Sequence, residues 1–286
     1  MDQIKTEKVR HILQKHFQRA DWNISQPKDG QYRTSYIAQS KEQQLFIKFD
    51  VPIDALQRLS EIEVAPLVLA SGVHEGTSYV AQEYINGIYP DWQWFATHLP
   101  LLASFIKRYH FDDQLTFLLS KTMTTKYDDQ VALNIATLET QFRSLHENAL
   151  HTPEIATAFD ELKNQAQYLH SAKLVPVHPD PNTKNMLLVD THLRMVDWDN
   201  VQLSDPVRDA GLLLWWYVAP QQWPIFFQAY DLPFDEYVVE RIYWWAARTS
   251  FAVALWHVEH EYDCTVFLQD FVAALNKCSN PHAVFQ

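Results

Sequence analysis

The spacing of hydrophobic and polar positions changes near residue 87, and this change divides the chain into two parts. In the first part, short apolar or alternating runs between turn residues are typical of strands, and apolar positions three and four apart are typical of helices. The pattern predicts helices over 3–18 and 54–61, a hairpin of strands 32–39 and 44–49, and a further strand over 77–85. Asn86-Gly87 then forms a turn signal, so we place a boundary there.

The second part has mostly helical spacing. Apolar residues recur at helical intervals over 99–109, 131–146 and 154–170, and again from Ala210 to the end of the chain. Residues 174–196 are the exception, because the runs 186–189 and 193–196 predict a small hairpin. We therefore expect an α+β protein with a small, β-rich N-lobe over 1–86 and a larger, mainly helical C-lobe over 87–286 that contains the hairpin.

Polar residues on both sides of this hairpin have a spacing that points to chemistry. His178-Pro179-Asp180-Pro181-Asn182-Thr183-Lys184-Asn185 fits H-x-D-x-x-x-x-N, and Asp197-Trp198-Asp199 follows twelve residues after the Asn. This is the layout of a phosphoryl-transfer site. Asp180 is the expected catalytic carboxylate, which would hold an acceptor hydroxyl in line with the γ-phosphate of ATP. Asn185 and Asp197 offer the hard oxygen ligands that Mg²⁺ prefers.

Four further residues are expected to support this site. His178 is expected to orient the loop through hydrogen bonds, because phosphoryl transfer depends on positioning and charge. Asn182 could contact a phosphate or the acceptor. Asp199 could contact a second metal ion or the substrate, or cap the following segment. Asp209, in Asp205-Pro206-Val207-Arg208-Asp209, could buttress the loop by accepting backbone N–H groups.

In the first lobe, Lys48 interrupts an apolar run at the end of a predicted strand. A lysine in this position can reach the α- and β-phosphates of ATP. Its acidic partner stays open among Asp54, Glu61 and Glu63.

The remaining nucleotide contacts are expected on both sides of that lysine. The loop that covers the phosphates should lie within 25–35, where Gly30 is the only glycine and Ser35 offers a hydroxyl. The end of the third strand is expected to bind adenine through its backbone, at Gln82, Glu83 and Ile85.

The amino-acid composition limits the expected binding partners of the protein and its expected location in the cell. The net charge is −12 and no block of Lys or Arg occurs, so nucleic acid is not an expected partner. The two cysteines, Cys264 and Cys278, have no metal-ligand spacing and are expected to be reduced thiols. The N-terminus is too charged for a signal peptide, and no apolar run is long enough to predict a membrane span. A cytoplasmic protein without a membrane partner is therefore expected.

These motifs together resemble the aminoglycoside phosphotransferase and choline kinase family. The match is specific over 178–209, which contains H-x-D-x-x-x-x-N, V-D-W-D and D-P-x-x-D. Lys48, Val64-Ala65-Pro66 and 82–87 extend a weaker match across the first lobe, and 101–110 resembles the family's helix that ends near a His.

The resemblance implies a bilobal, protein-kinase-like fold and an enzyme that uses ATP and Mg²⁺ to phosphorylate a hydroxyl of a small molecule. It also implies that Asp180 is the base, that Asn185 and Asp197 are the metal ligands, and that Lys48 binds phosphate. The chain also resembles a bacterial subgroup described as cell-cycle-linked and thought to act on small sugars such as ribose. The segments that carry this resemblance are 195–210, Gln221-Gln222-Trp223 and Ile242-Tyr243-Trp244-Trp245. A choline-like amino alcohol or an aminoglycoside stays open as the acceptor, because aromatic rings can bind a quaternary ammonium or stack on a sugar. Five aromatic residues could line that pocket: Trp215, Trp216, Tyr243, Trp244 and Trp245.

Two departures from the family pattern motivate an alternative function. Pro179 stands where the family usually has Gly, and proline fixes φ and lacks an N–H. The phosphate loop is also poor in glycine. The alternative is a catalytically weak, kinase-like regulator that binds nucleotide or a protein partner. A protein kinase is disfavoured because the chain has no D-F-G or A-P-E signature.

Overall fold

The computed structural model describes residues 3–19, 21–27, 34–146 and 150–283. The chain divides into two compact units. The sheet unit consists of Met1–Tyr89 and Lys184–Asn200, and the helical unit consists of Pro90–Thr183 and Val201–Gln286. Across the described ranges, no helix is both long enough and apolar enough to cross a membrane.

An antiparallel five-stranded sheet in the order β1-β2-β3-β5-β4 forms the centre of the sheet unit. Its elements are α1 (Gln3–Phe17), β1 (Asn23–Ser25), β2 (Ser35–Gln39), β3 (Gln44–Phe49), α2 (Ile53–Glu61), β4 (Val68–His74) and β5 (Thr77–Glu83). Val9, Ile12 and Leu13 lie on one face of α1 and pack into the same core as buried residues of the strands. The two predicted helices and the third strand are confirmed within a few residues, and so is the hairpin from Ser35 onward. The first two residues of its predicted range, 32 and 33, lie outside the described residues.

The two edge strands, β1 and β4, were not predicted. Most residues of β4 are partly exposed, and its middle contains Gly72, so the sequence shows no alternation there. A Cβ added to Gly72 would lie 2.9 Å from the hydroxyl of Tyr79. The turn into β5 uses Glu75 and Gly76 with φ values of 49° and 78°, the left-handed conformations of a type I′ turn. Close packing and turn geometry therefore place this strand, rather than an apolar pattern.

The rest of the chain contains most of the helices. In chain order its elements are α3 (Trp92–Thr97), α4 (Leu99–His110), α5 (Asp113–Ser120), α6 (Tyr127–Ser144), α7 (Pro153–Ala166), β6 (Val175–Val177), β7 (Met186–Val189), β8 (His192–Met195), β9 (Gln202–Ser204), α8 (Val207–Tyr217), α9 (Trp223–Tyr230), α10 (Glu236–Glu259) and α11 (Thr265–Leu275). The predicted helices near 99–109, 131–146 and 154–170 and the predicted hairpin are confirmed within a few residues. The short strand β9, which pairs antiparallel with β6, was not predicted.

The hairpin of β7 and β8 belongs to the sheet unit, whereas the sequence analysis placed it in the helical lobe. Ile88 forms a β-bridge with Leu188, and Met195 N donates to Val64 O at 2.8 Å. A Cβ on Gly87 would lie 2.9 Å from Leu188 O, so glycine permits this close approach. Pairing between segments about one hundred residues apart therefore places the hairpin in the sheet unit. The first segment of this unit ends at Tyr89 rather than at residue 86.

Large aromatic side chains fill the core of the helical unit. Trp215, Trp244 and Trp245 are all buried, so the expectation that they line an acceptor pocket is wrong for these three. Trp215 Nε1 donates to Cys278 O, and Trp244 Nε1 donates to Leu162 O, which satisfies the polar end of each ring. Trp216 and Tyr243 stay partly exposed.

Candidate active site

Lys48 lies on β3, an inner strand of the sheet, and is almost fully buried. Its ammonium group donates hydrogen bonds to Asp197 Oδ1 at 2.7 Å and to Asp199 Oδ1 at 2.6 Å. The aspartate side chains remain 28% and 27% exposed, so the carboxylates stand at the boundary between the interior and solvent. The structure thus pairs Lys48 with two aspartates that were not among the acids considered from sequence.

The segment that carries these aspartates is anchored on both sides. Trp198, which lies between them, is buried, and its Nε1 donates to Met195 O at 2.9 Å. Asn185 O accepts the N–H of Val196 at 2.9 Å, so the start of β7 lies beside the residue before Asp197. Asp197 has a φ of 67°, a left-handed conformation that Asp tolerates better than most residues but that still costs free energy. Such strain is common where a backbone must aim a functional side chain.

Asn185, Asp197 and Asp199 supply oxygen donors of the kind that Mg²⁺ prefers. The two carboxylates converge on one cation, Lys48 Nζ. Within the part of the chain that the structure describes, no group of three His, Cys, Asp or Glu residues could hold a metal ion. Mg²⁺ is commonly bound by one or two carboxylates together with nucleotide phosphates and water. The donor set therefore fits a magnesium ion that arrives with a nucleotide.

Ser35 lies directly opposite Lys48 across the β2–β3 pair, so both side chains emerge on the same face of the sheet. Ser35 is buried, and its Oγ has no hydrogen-bond partner among the described residues. Leaving a buried hydroxyl without a partner is unfavourable, and a phosphate oxygen beside Lys48 would relieve it. Gly30, the other residue predicted for this loop, lies outside the described residues.

The three residues predicted to contact adenine lie at and beyond the end of β5. Gln82 is buried, and its side chain donates to Pro66 O at 3.4 Å. Glu83 N donates to Leu67 O at 2.9 Å, so this N–H is used within the sheet. Ile85 follows β5 and is partly exposed. Among the three, Ile85 is therefore the residue whose backbone is best placed to meet a ligand.

In the helical unit, a short chain of hydrogen bonds shapes the loop that carries Asp180. His178 is fully buried, and its Nδ1 accepts the N–H of Asp180 at 3.1 Å. An accepting Nδ1 carries no proton, so a neutral His178 has its proton on Nε2. Asn182 Nδ2 donates to Asp180 Oδ2 at 2.8 Å, which orients the exposed carboxylate. Asn182 therefore contacts Asp180 itself, a role that the sequence analysis did not consider.

Pro179 is compatible with this loop. The backbone donors that hold it are the N–H groups of His178 and Asp180, on either side of the proline. Neither bond requires an N–H at position 179. The replacement of the family's usual glycine therefore leaves the two anchoring hydrogen bonds in place.

Asp209 is the buried anchor of the loop. Its Oδ2 accepts the N–H of His178 at 3.0 Å and the hydroxyl of Tyr109 at 2.8 Å. Its Oδ1 accepts the N–H of Ala210 at 2.8 Å and lies 3.0 Å from His110 Nε2. Burial alone would raise the pKa of Asp209, but attraction to His110 and the hydrogen bonds it accepts outweigh burial and lower it. Tyr109 was missed from sequence, although polar residues at the end of the apolar helix α4 were a usable signal.

The first acid of the D-P-x-x-D motif is a second buried anchor. Asp205 is fully buried, its Oδ2 accepts the hydroxyl of Tyr127 at 2.8 Å, and its carboxylate forms an ion pair with Arg241 at 3.0 Å. These partners come from α6 and α10, so Asp205 joins the start of α8 to two other helices. The sequence analysis assigned no role to Asp205, Tyr127 or Arg241.

Tyr217, at the end of α8, lies beside the loop that carries Asp180. Its hydroxyl accepts the N–H of Thr183 at 3.4 Å, and its ring stacks on Phe95 with 5.0 Å between the ring centroids. Burial raises the pKa of Tyr217, and the nearby charge of Asp180 adds to this effect. Tyr217 and Phe95 were not considered from sequence, because α3 and α8 are far apart along the chain.

Comparison with known proteins decides the family. A model of the phosphotransferase enzyme family matches residues 29–242, which include β2 to β9, α2 to α9 and both site segments. The chain belongs to this phosphotransferase family. The family recognised from the motifs is confirmed at this level, and the finer sugar-specific subgroup stays a prediction.

Solved structures of family relatives have the same fold. Choline kinase LicA from Streptococcus pneumoniae is 17% identical, with a TM-score of 0.68 over 95% of this chain and 99% of that chain. A choline/ethanolamine kinase family protein from Mesorhizobium loti is 16% identical, with a TM-score of 0.67 over 97% and 96%. A thermostable mutant of aminoglycoside phosphotransferase APH(4)-Ia, in complex with ADP and hygromycin B, is 16% identical, with a TM-score of 0.64 over 95% and 96%. The α+β, protein-kinase-like fold is therefore confirmed.

Proposed function

We propose that this phosphotransferase moves the γ-phosphate of ATP to a hydroxyl of a small molecule, with Mg²⁺ as cofactor. The convergence of Asp197 and Asp199 on the Lys48 ammonium carries the proposal, because it gathers a phosphate-binding cation and metal-binding carboxylates at one place. The comparison supports it, because relatives of the same fold are named as kinases of choline and ethanolamine, and another binds ADP with an aminoglycoside.

The nucleotide side of the reaction is assigned to the sheet unit. Lys48 and Ser35 would bind phosphate oxygens, and the backbone at Ile85 would meet adenine. Asn185 and Asp197 would hold Mg²⁺, with Asp199 as a second ligand or as the residue that positions Lys48. The metal ion would neutralise the negative charge that the phosphates carry during transfer.

The acceptor side is assigned to Asp180. The acceptor oxygen would form a new bond to the γ-phosphorus, and the bond between that phosphorus and the oxygen bridging to the β-phosphate would break to leave ADP. The proton of the acceptor hydroxyl would pass to Asp180. His178, Asn182 and Asp209 would fix the direction of this carboxylate through the hydrogen bonds described above, which is the positioning on which such catalysis depends.

Three classes of acceptor are retained: a choline-like amino alcohol, a sugar such as ribose, and an aminoglycoside. An acidic protein favours neutral or cationic acceptors, and this agrees with all three. Tyr217 is partly exposed, and its hydroxyl accepts the N–H of Thr183, so it gives the loop that carries Asp180 an aromatic neighbour that could contact either a cation or a sugar ring.

The test is ADP release from Mg²⁺-ATP across a panel of ribose, deoxyribose, choline, ethanolamine, thiamine and several aminoglycosides. Asp180→Asn and Asp197→Asn should each lower acceptor-dependent release by at least 100-fold, in the range typical of general acid–base catalysis. Asp190→Asn is the matched control, because Asp190 is exposed in the turn between β7 and β8 and Asn also tolerates its left-handed φ of 53°. Equal activity in Asp180→Asn and Asp190→Asn would contradict the proposal.

The same experiment tests the alternative function, a kinase-like regulator with little catalytic activity. Binding of ATP without release from any acceptor would favour a catalytically weak protein that senses nucleotide, and the glycine-poor stretch 25–35 motivates this alternative. A protein partner and a cytoplasmic location stay predictions from sequence.

A further inference from the structure

Three arginines of the helical unit gather around Trp245. Arg241, Trp245 and Arg248 follow each other on α10 at intervals of four and three residues, so they lie on one face of that helix. Arg208, from the first turn of α8, lies over the Trp245 ring with 5.1 Å between its guanidinium carbon and the ring centroid. Packing of α8 against α10 therefore brings several positive charges into one region of the interior.

Among the residues that the structure describes, only one of these arginines has an acidic partner in direct contact. Arg241 forms an ion pair with Asp205. Arg208 is buried, and its Nη1 donates to neutral acceptors, Gln202 Oε1 at 2.8 Å and Ser204 Oγ at 3.4 Å. Burial lowers the pKa of Arg208 to about 10, although the charge of Asp209 acts in the opposite direction.

Of the three arginines, Arg248 has the fewest partners within the described ranges for the charge and the N–H groups of its guanidinium. It is partly buried, and its Nε is fully shielded from solvent without a hydrogen-bond partner among the described residues. Burial and repulsion from Arg208 lower the pKa of Arg248 to about 9. A buried N–H of a cationic group that lacks an acceptor is unfavourable, so a bound anion that accepted the Nε–H of Arg248 would stabilise the folded protein here.

We propose that Arg208 and Arg248 form an oxyanion-binding site beside Trp245, which takes a phosphate or carboxylate group. Arginine suits both groups, because its planar fork of N–H donors matches two oxygens of either. The partial exposure of Arg248 gives such a ligand access. The site uses neither Lys48 nor Asp180, so it stands independently of the proposed kinase activity.

The first test measures thermal unfolding in phosphate, sulfate and acetate, each compared with sodium chloride at the same ionic strength. Saturating Mg²⁺-ADP is present throughout, and a Lys48→Met variant is measured in parallel, so that binding at the nucleotide site is recognised. We expect phosphate to raise the Tm of the wild type by about 3 °C in a saturable manner. A larger rise with acetate than with phosphate would identify the carboxylate as the ligand group.

The variants locate the effect. Arg248→Met should lose the anion-dependent rise, and without added anion it should be at least as stable as the wild type, because an uncompensated charge has been removed. Arg248→Lys keeps the charge but loses the fork, so it should bind the anion about 10-fold more weakly. Arg143→Met, an exposed arginine of α6, is the matched control and should respond like the wild type.

A direct measurement completes the test. Crystals soaked in selenate should show an anomalous peak within hydrogen-bond distance of Arg248. Ordered water alone at that position would overturn the proposal. An equal phosphate-dependent rise in Arg248→Met and in the wild type, or no anion that exceeds chloride in the wild type, would also overturn it.

Discussion

Replacing Asp209 by Asn tests whether one buried carboxylate holds the loop that carries Asp180. The substitution preserves the shape of the side chain but removes its charge and one of its two accepting oxygens. Four donors surround the carboxylate: the N–H groups of His178 and Ala210, the hydroxyl of Tyr109 and His110 Nε2. The amide nitrogen of Asn must face at least one of them, so a buried donor loses its acceptor.

The expected cost follows from these contacts. A buried donor left without an acceptor costs about 1–3 kcal/mol, and the loss of a hydrogen bond to a charged acceptor costs about 1.5–3 kcal/mol. We therefore expect Asp209→Asn to lower the free energy of unfolding by about 4 kcal/mol at pH 7. Tyr109→Phe removes one donor and leaves the charge, so it should cost about 1.5–3 kcal/mol.

The effect should depend on pH in a defined direction. The pKa of Asp209 is lowered in the folded protein relative to its ordinary value of 3.8. The folded state therefore binds fewer protons at this group, and its contribution to stability is present above that value and is lost as the pH falls through the lower, folded-state pKa. The stability difference between the wild type and Asp209→Asn should shrink as the pH falls below 3.8.

Two measurements check this prediction. Urea titrations followed by tryptophan fluorescence give the free energies, and hydrogen exchange gives the protection of the His178 amide, whose N–H donates to Asp209. Faster exchange at His178 in Asp209→Asn, with a smaller change in Tyr109→Phe, is expected. A stability within about 1 kcal/mol of the wild type, together with unchanged protection at His178, would refute the reasoning, because a loss that small is that of a single ordinary hydrogen bond.

Two further predictions concern the sheet unit. Lys48→Met should weaken the binding of Mg²⁺-ADP by at least 10-fold in calorimetry, because the phosphates of ADP lose the ammonium group that is proposed to bind them. Exposed Lys41→Met is the control, and equal affinities in the two variants would contradict the assignment of Lys48. Gly87→Ala should lower the free energy of unfolding by about 1–3 kcal/mol in urea titrations, because its Cβ would press on the backbone oxygen of Leu188. Gly76→Ala serves as a comparison, because a Cβ at Gly76 would meet no neighbouring atom and the substitution would act only through its left-handed φ. An unchanged stability in Gly87→Ala would show that the contact between residue 87 and Leu188 is not tight.

The residues proposed for phosphoryl transfer could be recognised from sequence because this chemistry requires particular residue types at short spacings. Asp180, Asn185 and Asp197 lie within twenty residues of each other, so a linear motif contains them. The hairpin of β2 and β3 and the long helices were predictable for a related reason, since their apolar periodicity is local. Strand β4 escaped prediction because it is a partly exposed edge with Gly72 at its centre, and such strands have no clear alternation.

The sequence by itself thus determined the family, the fold class and the residues proposed for catalysis. The tertiary structure decided which side chains meet: Lys48 with Asp197 and Asp199, Asp209 with Tyr109 and His110, and Arg208 with Trp245. These pairs lie between about 40 and 150 positions apart, and many acids along the chain could satisfy a lysine or an arginine equally well. Only the packing of strands and helices brings one particular partner into contact, and that selection is a property of the whole fold.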